Sequence, residues 1–491
     1  MHFFKNLYQN LMKMGPVQRQ SLLTLLSLFS VTAIGYLSTI YFAHVLGPAI
    51  MGAYFTFLAY YGIFDLVADG GFGLAAVKRI SEGKEQNEFF SAYVLLRCIL
   101  LAVSLLAFIL IFPFIPGLKD TDLMTWMLAG LVIGTVYNVI TTDIYGTAQV
   151  GILQVSSFCN TTSKIVIQVI AVYIGFNTGG LVAGYVAGMI VAIILNFRFT
   201  RLSLTRFSRY HFKSLFSFSF WTFLSSGGAL VFSYADTILI GIFLTQGDVG
   251  IYRLAFQLAS VSSIIVTAFH ASLFPRISQW HAERSLHLIE SAISRAVTYC
   301  LILTIPLTIG GSLLARQLMY FLYGEAFQSG SDVLIILLFV QLANIFMFLF
   351  TMCLNTMNRP KDSFLVTSVS AVLNIVFNIL LIPSLGIIGA ACATLCTMSI
   401  NAFLAYRILR QEIKPDLKTG TLIHILGSSA AMAFFVAAYM IMFGVNSVIS
   451  LCIVIVLGAL IYFTVLLKID QNIKREVRNL MITLEVPYIQ D

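Results

Sequence analysis

The sequence predicts an all-α polytopic membrane protein of about fourteen transmembrane helices: two six-helix lobes related by a parallel internal repeat, followed by two further helices. Three observations predict it: composition, the placement of basic residues, and self-similarity between the halves. Of 491 residues, 59% are apolar and 10% charged, whereas an ordinary soluble protein is roughly 25% charged. At about 20 apolar residues per span, that content fills roughly fourteen helices. Little is left for a large soluble domain.

The apolar runs, broken at Gly/Pro clusters and charges, fall near 21–43, 49–68, 89–112, 123–142, 152–175 and 179–197 in the first half. Six more lie near 214–244, 248–275, 288–315, 331–357, 363–383 and 386–406, and a final pair near 421–443 and 446–467. Residues 1–20 place Phe3, Phe4, Leu7, Leu11 and Met14 at helical spacing among Lys5 and Lys13, which reads as a cytoplasmic interfacial segment. A cleaved leader is disfavoured, since no A-x-A-like site closes the first span and Pro16 precedes it. The organisation is therefore an N-lobe over 21–197, a basic cytoplasmic linker over 198–213, a C-lobe over 214–406, the last helices over 421–467 and a cytoplasmic tail over 468–491.

The net charge of +8 would suggest nucleic acid in a soluble protein; here it fits the accumulation of cations in cytoplasmic loops, and no nucleic-acid partner is expected. With the N-terminus inside, all but six of the 29 Lys and Arg fall at cytoplasmic ends and loops. Lys119, Arg253 and Arg316 fall on the other side, and Arg97, Lys164 and Arg295 lie within spans. The expected location is the cytoplasmic membrane, with both termini inside. All seven cysteines sit in apolar stretches as packing residues, so neither a disulfide framework nor a metal cluster is expected. No cofactor is expected beyond a coupling ion, Na⁺ or H⁺.

Tyr36, Thr39, Ile40, Leu46, Gly52 and Tyr54 recur as Tyr234, Thr237, Ile238, Leu244, Gly250 and Tyr252, and Arg79-Ile80-Ser81 as Arg276-Ile277-Ser278. Both copies start on the same side of the membrane, the parallel repeat of many secondary transporters. Such a bundle suits lobes that rock about a central cavity, and one chain then forms a complete pathway as a monomer. A membrane glycosyltransferase or ligase would need a large outer loop, but the longest polar connection is the 198–213 linker. No GxxxxGK[ST] phosphate loop is present either, so an enzyme is not expected.

Several motifs add an identity to this architecture: Leu46-Gly47-Pro48 with Gly52 and Tyr54; Asp69-Gly70-Gly71-Phe72-Gly73; Asp248-Val249-Gly250-Ile251-Tyr252; and Asn358-Arg359-Pro360-Lys361. With Asn374, Asn378, Ile382-Pro383 and Gly386-Ile387-Ile388-Gly389-Ala390-Ala391 before Thr394, they resemble the polysaccharide-biosynthesis transporters. These are lipid-linked oligosaccharide flippases, in the superfamily of the multidrug and toxin extruders and the lipid II flippases. The resemblance implies a carrier that turns a polyprenyl-diphosphate-linked oligosaccharide from the inner to the outer leaflet, alongside polysaccharide-assembly proteins, with the last two helices forming a groove for the lipid tail. The alternative within the superfamily is an ion-coupled exporter of a soluble compound.

Asp236 lies well inside the seventh span, where a carboxylate is expensive. Asn374 and Asn378 share one face of the eleventh span, and Thr394 offers a hydroxyl from the twelfth. A hard cation takes several such oxygens. The resemblance to the lipid II flippases implies a sodium site of Asp236, Asn374, Asn378, the Ala390 carbonyl and Thr394, except that Asn378 stands where those relatives have an acid. The alternative is that Asp236 carries a proton or bonds to a neighbouring Thr, while the two Asn join helices.

For the diphosphate, the candidate cations are Lys164, Arg97, Arg295, Arg79 and Arg276. Lys164 is preferred because it is nearly mid-span, whereas Arg79 and Arg276 sit where topology alone places cations. Asp65 and Asp69 are candidates to latch a cytoplasmic gate by pairing with Lys78, Arg79 or Arg276, against a local capping role. Tyr36, Tyr54, Tyr234 and Tyr252 are candidates to stack on sugars, against packing or an interfacial belt.

Overall fold

The structure is a computed structural model that describes residues 16–115, 123–414, 419–471 and 473–475. Most of the expected interfacial segment, Lys119 and the tail beyond residue 475 lie outside the described residues. Every regular element among the described residues is helical: α1 (Pro16–Asp69), α2 (Phe72–Ser81), α3 (Gln86–Ile111), α4 (Leu123–Gly146), α5 (Val150–Tyr173), α6 (Thr178–Phe197), α7 (Arg209–Phe243) and α8 (Gln246–Ala259). Then follow α9 (Ser263–Ala282), α10 (Leu286–Leu313), α11 (Ala315–Tyr323), α12 (Ser331–Thr356), α13 (Pro360–Leu385), α14 (Ile387–Leu409), α15 (Thr419–Phe443) and α16 (Val448–Ile469). Helices are what hydrocarbon demands, since each backbone donor then finds its acceptor within its own segment.

Twelve of the described helical stretches are long and apolar enough to cross a membrane. One of them, in α1, is two spans joined at Gly47, whose backbone (φ 75°, ψ 178°) leaves the helix in a conformation open to glycine. Pro48 begins the second arm, where its missing N–H costs nothing. With α7, whose apolar stretch is Phe232–Phe243, the fourteen expected spans are all helical and the protein is a multi-pass membrane protein. The repeat shows in the backbone: α7 stops at Phe243, Leu244 is extended, and α8 begins at Gln246, matching the break at Leu46–Pro48.

The chain divides into two compact units, Met1–Gly250 and Ile251–Asp491. In the first, α7 packs on α1, α2 and α3. A Cβ on Gly71 would lie 2.4 Å from the Ser219 carbonyl oxygen, so the approach of α7 to the α1–α2 turn requires glycine there, and the Thr222 hydroxyl donates to the Gly71 carbonyl at 2.8 Å. Helices α5 and α6 meet along Gly184 and Gly188, whose absent side chains let the α5 backbone at Lys164 come close. The 198–208 linker is laid along the first unit: the Arg201 and Leu202 amides donate to buried Asp143 at 3.0 and 3.1 Å, and the Ser203 amide donates to Asn87 at 2.9 Å.

The second unit has one core that runs from α9 through α16. Gly310 and Gly458 make room for Met432 of α15, and the buried Tyr462 hydroxyl of α16 donates to the Ile302 carbonyl at 2.6 Å. Packing and such interhelical bonds hold helices together in lipid, where apolar burial gives no drive. The last two helices are thereby built into this unit. Pro306 and Pro383 lie inside α10 and α13, while Pro113 sits in the 3₁₀ turn Phe112–Phe114 that ends α3.

Candidate functional site: a polar cavity within the apolar spans

Three helices of the first unit each turn a polar stripe of i, i+3 or i+4 spacing toward the same space. From the second arm of α1 come Tyr61, Asp65 and Asp69; from α3, Tyr93 and Arg97; from α4, Asn138, Thr142 and Tyr145. They line a cavity of about 700 Å³, which Tyr185 of α6 and Tyr234 of α7 also reach. Polar groups inside apolar spans are expensive unless paired.

The pairing centres on Arg97, whose side chain is 1% exposed. Its Nη2 donates to Asp65 Oδ1 at 2.6 Å and its Nη1 to Asp69 Oδ1. One guanidinium fork thus spans two carboxylates one helical turn apart, a geometry suited to Arg rather than Lys. Asn138 Nδ2 donates to both oxygens of Asp65 at 3.3 Å, and the Gly73 amide to Asp69 Oδ2 at 3.3 Å. The Thr142 hydroxyl donates to that of Tyr93 at 3.3 Å. Tyr61 fits because Gly134 faces it: a Cβ there would lie 2.0 Å from the Tyr61 hydroxyl oxygen.

Asp65 and Asp69, expected to pair with Lys78, Arg79 or Arg276, are thus bound to Arg97 of α3. Arg79 pairs with Glu82 at 3.2 Å and Lys78 lies over the Phe218 ring. Arg97, a candidate for the diphosphate, spends its fork on protein carboxylates. Lys164 is half-buried on α5, and no carboxylate among the described residues forms an ion pair with it. Arg276 and Arg295 are exposed on α9 and α10.

Of the expected ion ligands, Asp236 is buried in α7 of the first unit. Asn374, Asn378, Ala390 and Thr394 are buried in the second. There Asn378 Nδ2 donates to Asn374 Oδ1 at 3.1 Å and Asn374 Nδ2 to the Thr394 and Thr397 hydroxyls at 3.4 Å. These bonds join α13 to α14 through the two Asn side chains, the helix-joining role set against a cation site, while the amide and hydroxyl oxygens are of the type a hard cation takes. Tyr234 lines the cavity of the first unit; Tyr54 accepts from Gln168 at 3.2 Å, and Tyr252 is buried against Phe256.

Sequence reasoning missed Asn138, Thr142, Tyr61, Tyr93, Tyr145 and Tyr185. Their signal was available for all but Tyr185 of α6: polar residues at i, i+3 or i+4 inside apolar runs of three helices. Nothing in one dimension says that the three stripes face one another. The second unit holds a complementary feature, an apolar cavity of about 360 Å³ lined from α10, α12, α15 and α16 by residues such as Leu307, Leu338, Met432 and Phe463.

Comparison with known proteins gives these features a context. The family described as "Polysaccharide biosynthesis protein" matches residues 17–281, more than half of the chain, and the MatE family matches residues 223–380. The probable low-salt glycan biosynthesis flippase of Haloferax volcanii is 29% identical over 432 residues, 88% of this chain and 92% of its own length. The probable flippase AglR of the same organism is 26% identical over 95% of this chain and 99% of its own. Among solved structures, the lipid II flippase MurJ in an inward closed conformation superposes with a TM-score of 0.74 at 16% identity, covering 90% of this chain and 98% of that one. An inward-facing multidrug resistance MATE transporter gives 0.66 at 16% identity, with coverage of 78% and 94%. At such identities the shared property is the fold.

Proposed function

The chain belongs to the polysaccharide biosynthesis protein family, and from that premise we propose that it is a flippase for a lipid-linked oligosaccharide. The cargo is a glycan joined through a diphosphate to a polyprenyl chain, moved from the inner to the outer leaflet of the cytoplasmic membrane by alternating access. The carrying observation is the cavity among the apolar spans that Asp65, Asp69, Arg97, Asn138 and five tyrosines line. Sugars and phosphates cannot shed their water into hydrocarbon without compensation worth many kcal/mol, so a glycan carrier needs such a lining at membrane depth. The apolar cavity against α15 and α16 supplies surface for a lipid chain. Relatives named as flippases cover nearly the whole chain.

Lys164 is the proposed contact for the diphosphate: a half-buried cation, far from either end of α5, with no carboxylate paired to it among the described residues. Transport is proposed to be coupled to Na⁺ or H⁺. The α13–α14 oxygens of Asn374, Asn378, Ala390 and Thr394 would hold the cation, and Asp236 is the buried acid of the first unit. The test compares wild-type protein with Lys164→Ala in liposomes holding a labelled polyprenyl-diphosphate oligosaccharide. The expected result is a loss of about tenfold in flipping rate, or about 1.4 kcal/mol, at unchanged folded yield. An unchanged rate would remove Lys164 from the pathway.

A further inference from the structure

The polar cavity of the first unit offers acceptors, not positive charge, to whatever enters it. Arg97 is the one cation among the described residues that line it, and its fork is turned onto Asp65 and Asp69. The guanidinium is 1% exposed, while the two carboxylates keep 26% and 24% of their side chains open. Two acids against one spent base leave the lining with one net negative charge.

Each ionised carboxylate offers about four lone-pair sites. Arg97, Asn138 and the Gly73 amide occupy only some of them. A sugar hydroxyl donates, so it can satisfy the carboxylate acceptors that remain open. A carboxylate or phosphate group cannot donate to Asp65 or Asp69, and it brings like charge to them. Tyr145, Tyr185 and Tyr234, the lining tyrosines that are not buried, complete the constellation, because an aromatic face covers the C–H side of a sugar ring while a carboxylate holds its neighbouring hydroxyls.

Resting on the flippase reading, we propose that this cavity is a subsite for neutral sugar rings of the glycan, with Asp65 and Asp69 as the specificity-determining acceptors. It discriminates against hexuronates and phosphorylated sugars, and the diphosphate of the lipid is held elsewhere. Arg97 is a positioning residue: it fixes the two carboxylates and does not touch phosphate.

The experiment uses the full chain in liposomes with three polyprenyl-diphosphate trisaccharides that differ only in the sugars: all hexose, all hexuronate, and the methyl esters of the hexuronate. The hexose and ester substrates are expected to move at similar rates and the hexuronate about tenfold more slowly, a difference of about 1.4 kcal/mol. Asp69→Asn is expected to shrink that preference by raising the relative rate of the hexuronate. The ester comparison needs only wild-type protein, so it stands even where the variant does not fold. Equal rates for hexose and hexuronate overturn the subsite and leave the flippase reading standing. Movement of none of the three, in protein with a cooperative melting transition, overturns both.

Discussion

A guanidinium inside a membrane span persists only while something cancels its charge, and Arg97 is cancelled twice, by Asp65 and Asp69. Removing it leaves two adjacent carboxylates with no cation. Breaking a buried ion pair from one side typically costs about 3–5 kcal/mol, and Arg97→Met is expected to destabilise on the order of 3 kcal/mol. Removing the two acids as well, as Asp65→Asn and Asp69→Asn, takes away the unpaired charge and should recover most of the loss. Thermal unfolding in detergent micelles measures both. A triple variant no more stable than Arg97→Met would show that packing rather than charge sets the value of this cluster. The acids were legible in the sequence as candidates, but their partner was not. The span carrying Arg97 passes them at a height that only the packing of α1 on α3 fixes.

At the scale of the element, glycines decide where helices touch. Gly52, on the second arm of α1, meets the start of α8 so closely that a Cβ would stand 1.7 Å from the Gln246 carbonyl oxygen. Its repeat-mate Gly250 would place a Cβ 2.1 Å from the Pro48 carbonyl oxygen. The two copies of the repeated motif thus cross at their equivalent glycines, and the Thr56 hydroxyl donates to Gln246 Oε1 at 2.7 Å beside them. Backbone cannot swing aside as a side-chain tip can, so Gly52→Ala is expected to lose most of the folded yield. Gly35→Ala in the same helix, with nothing within 4 Å, is expected to be neutral. Size-exclusion profiles of the two variants check this, and equal yields would contradict the crossing. The sequence showed that Gly52 and Gly250 correspond. It did not show that they touch, because a repeat fixes equivalence and not contact.

For the whole molecule, the fourteen spans were legible because hydrocarbon leaves few choices: an apolar run of the right length must be a helix. The polar cavity was not, since its members are scattered among the seven helices α1 to α7 that the chain visits separately. The orientation proposed from the placement of Lys and Arg makes its own prediction. Thr200→Cys, in the linker packed against the first unit, should react with an impermeant thiol reagent from the cytoplasmic side. Asn177→Cys, between α5 and α6, should react from the outside. The reverse pattern would invert the topology and the proposed direction of transport with it.

The measurement that bears most directly on the central claim is transbilayer movement of a labelled polyprenyl-diphosphate oligosaccharide in liposomes holding the purified protein, with Na⁺ and H⁺ gradients imposed separately. The account predicts movement well above that of protein-free liposomes, accelerated by one of the two gradients and slowed by Asp236→Asn. Folded protein that moves no such lipid under either gradient would contradict it.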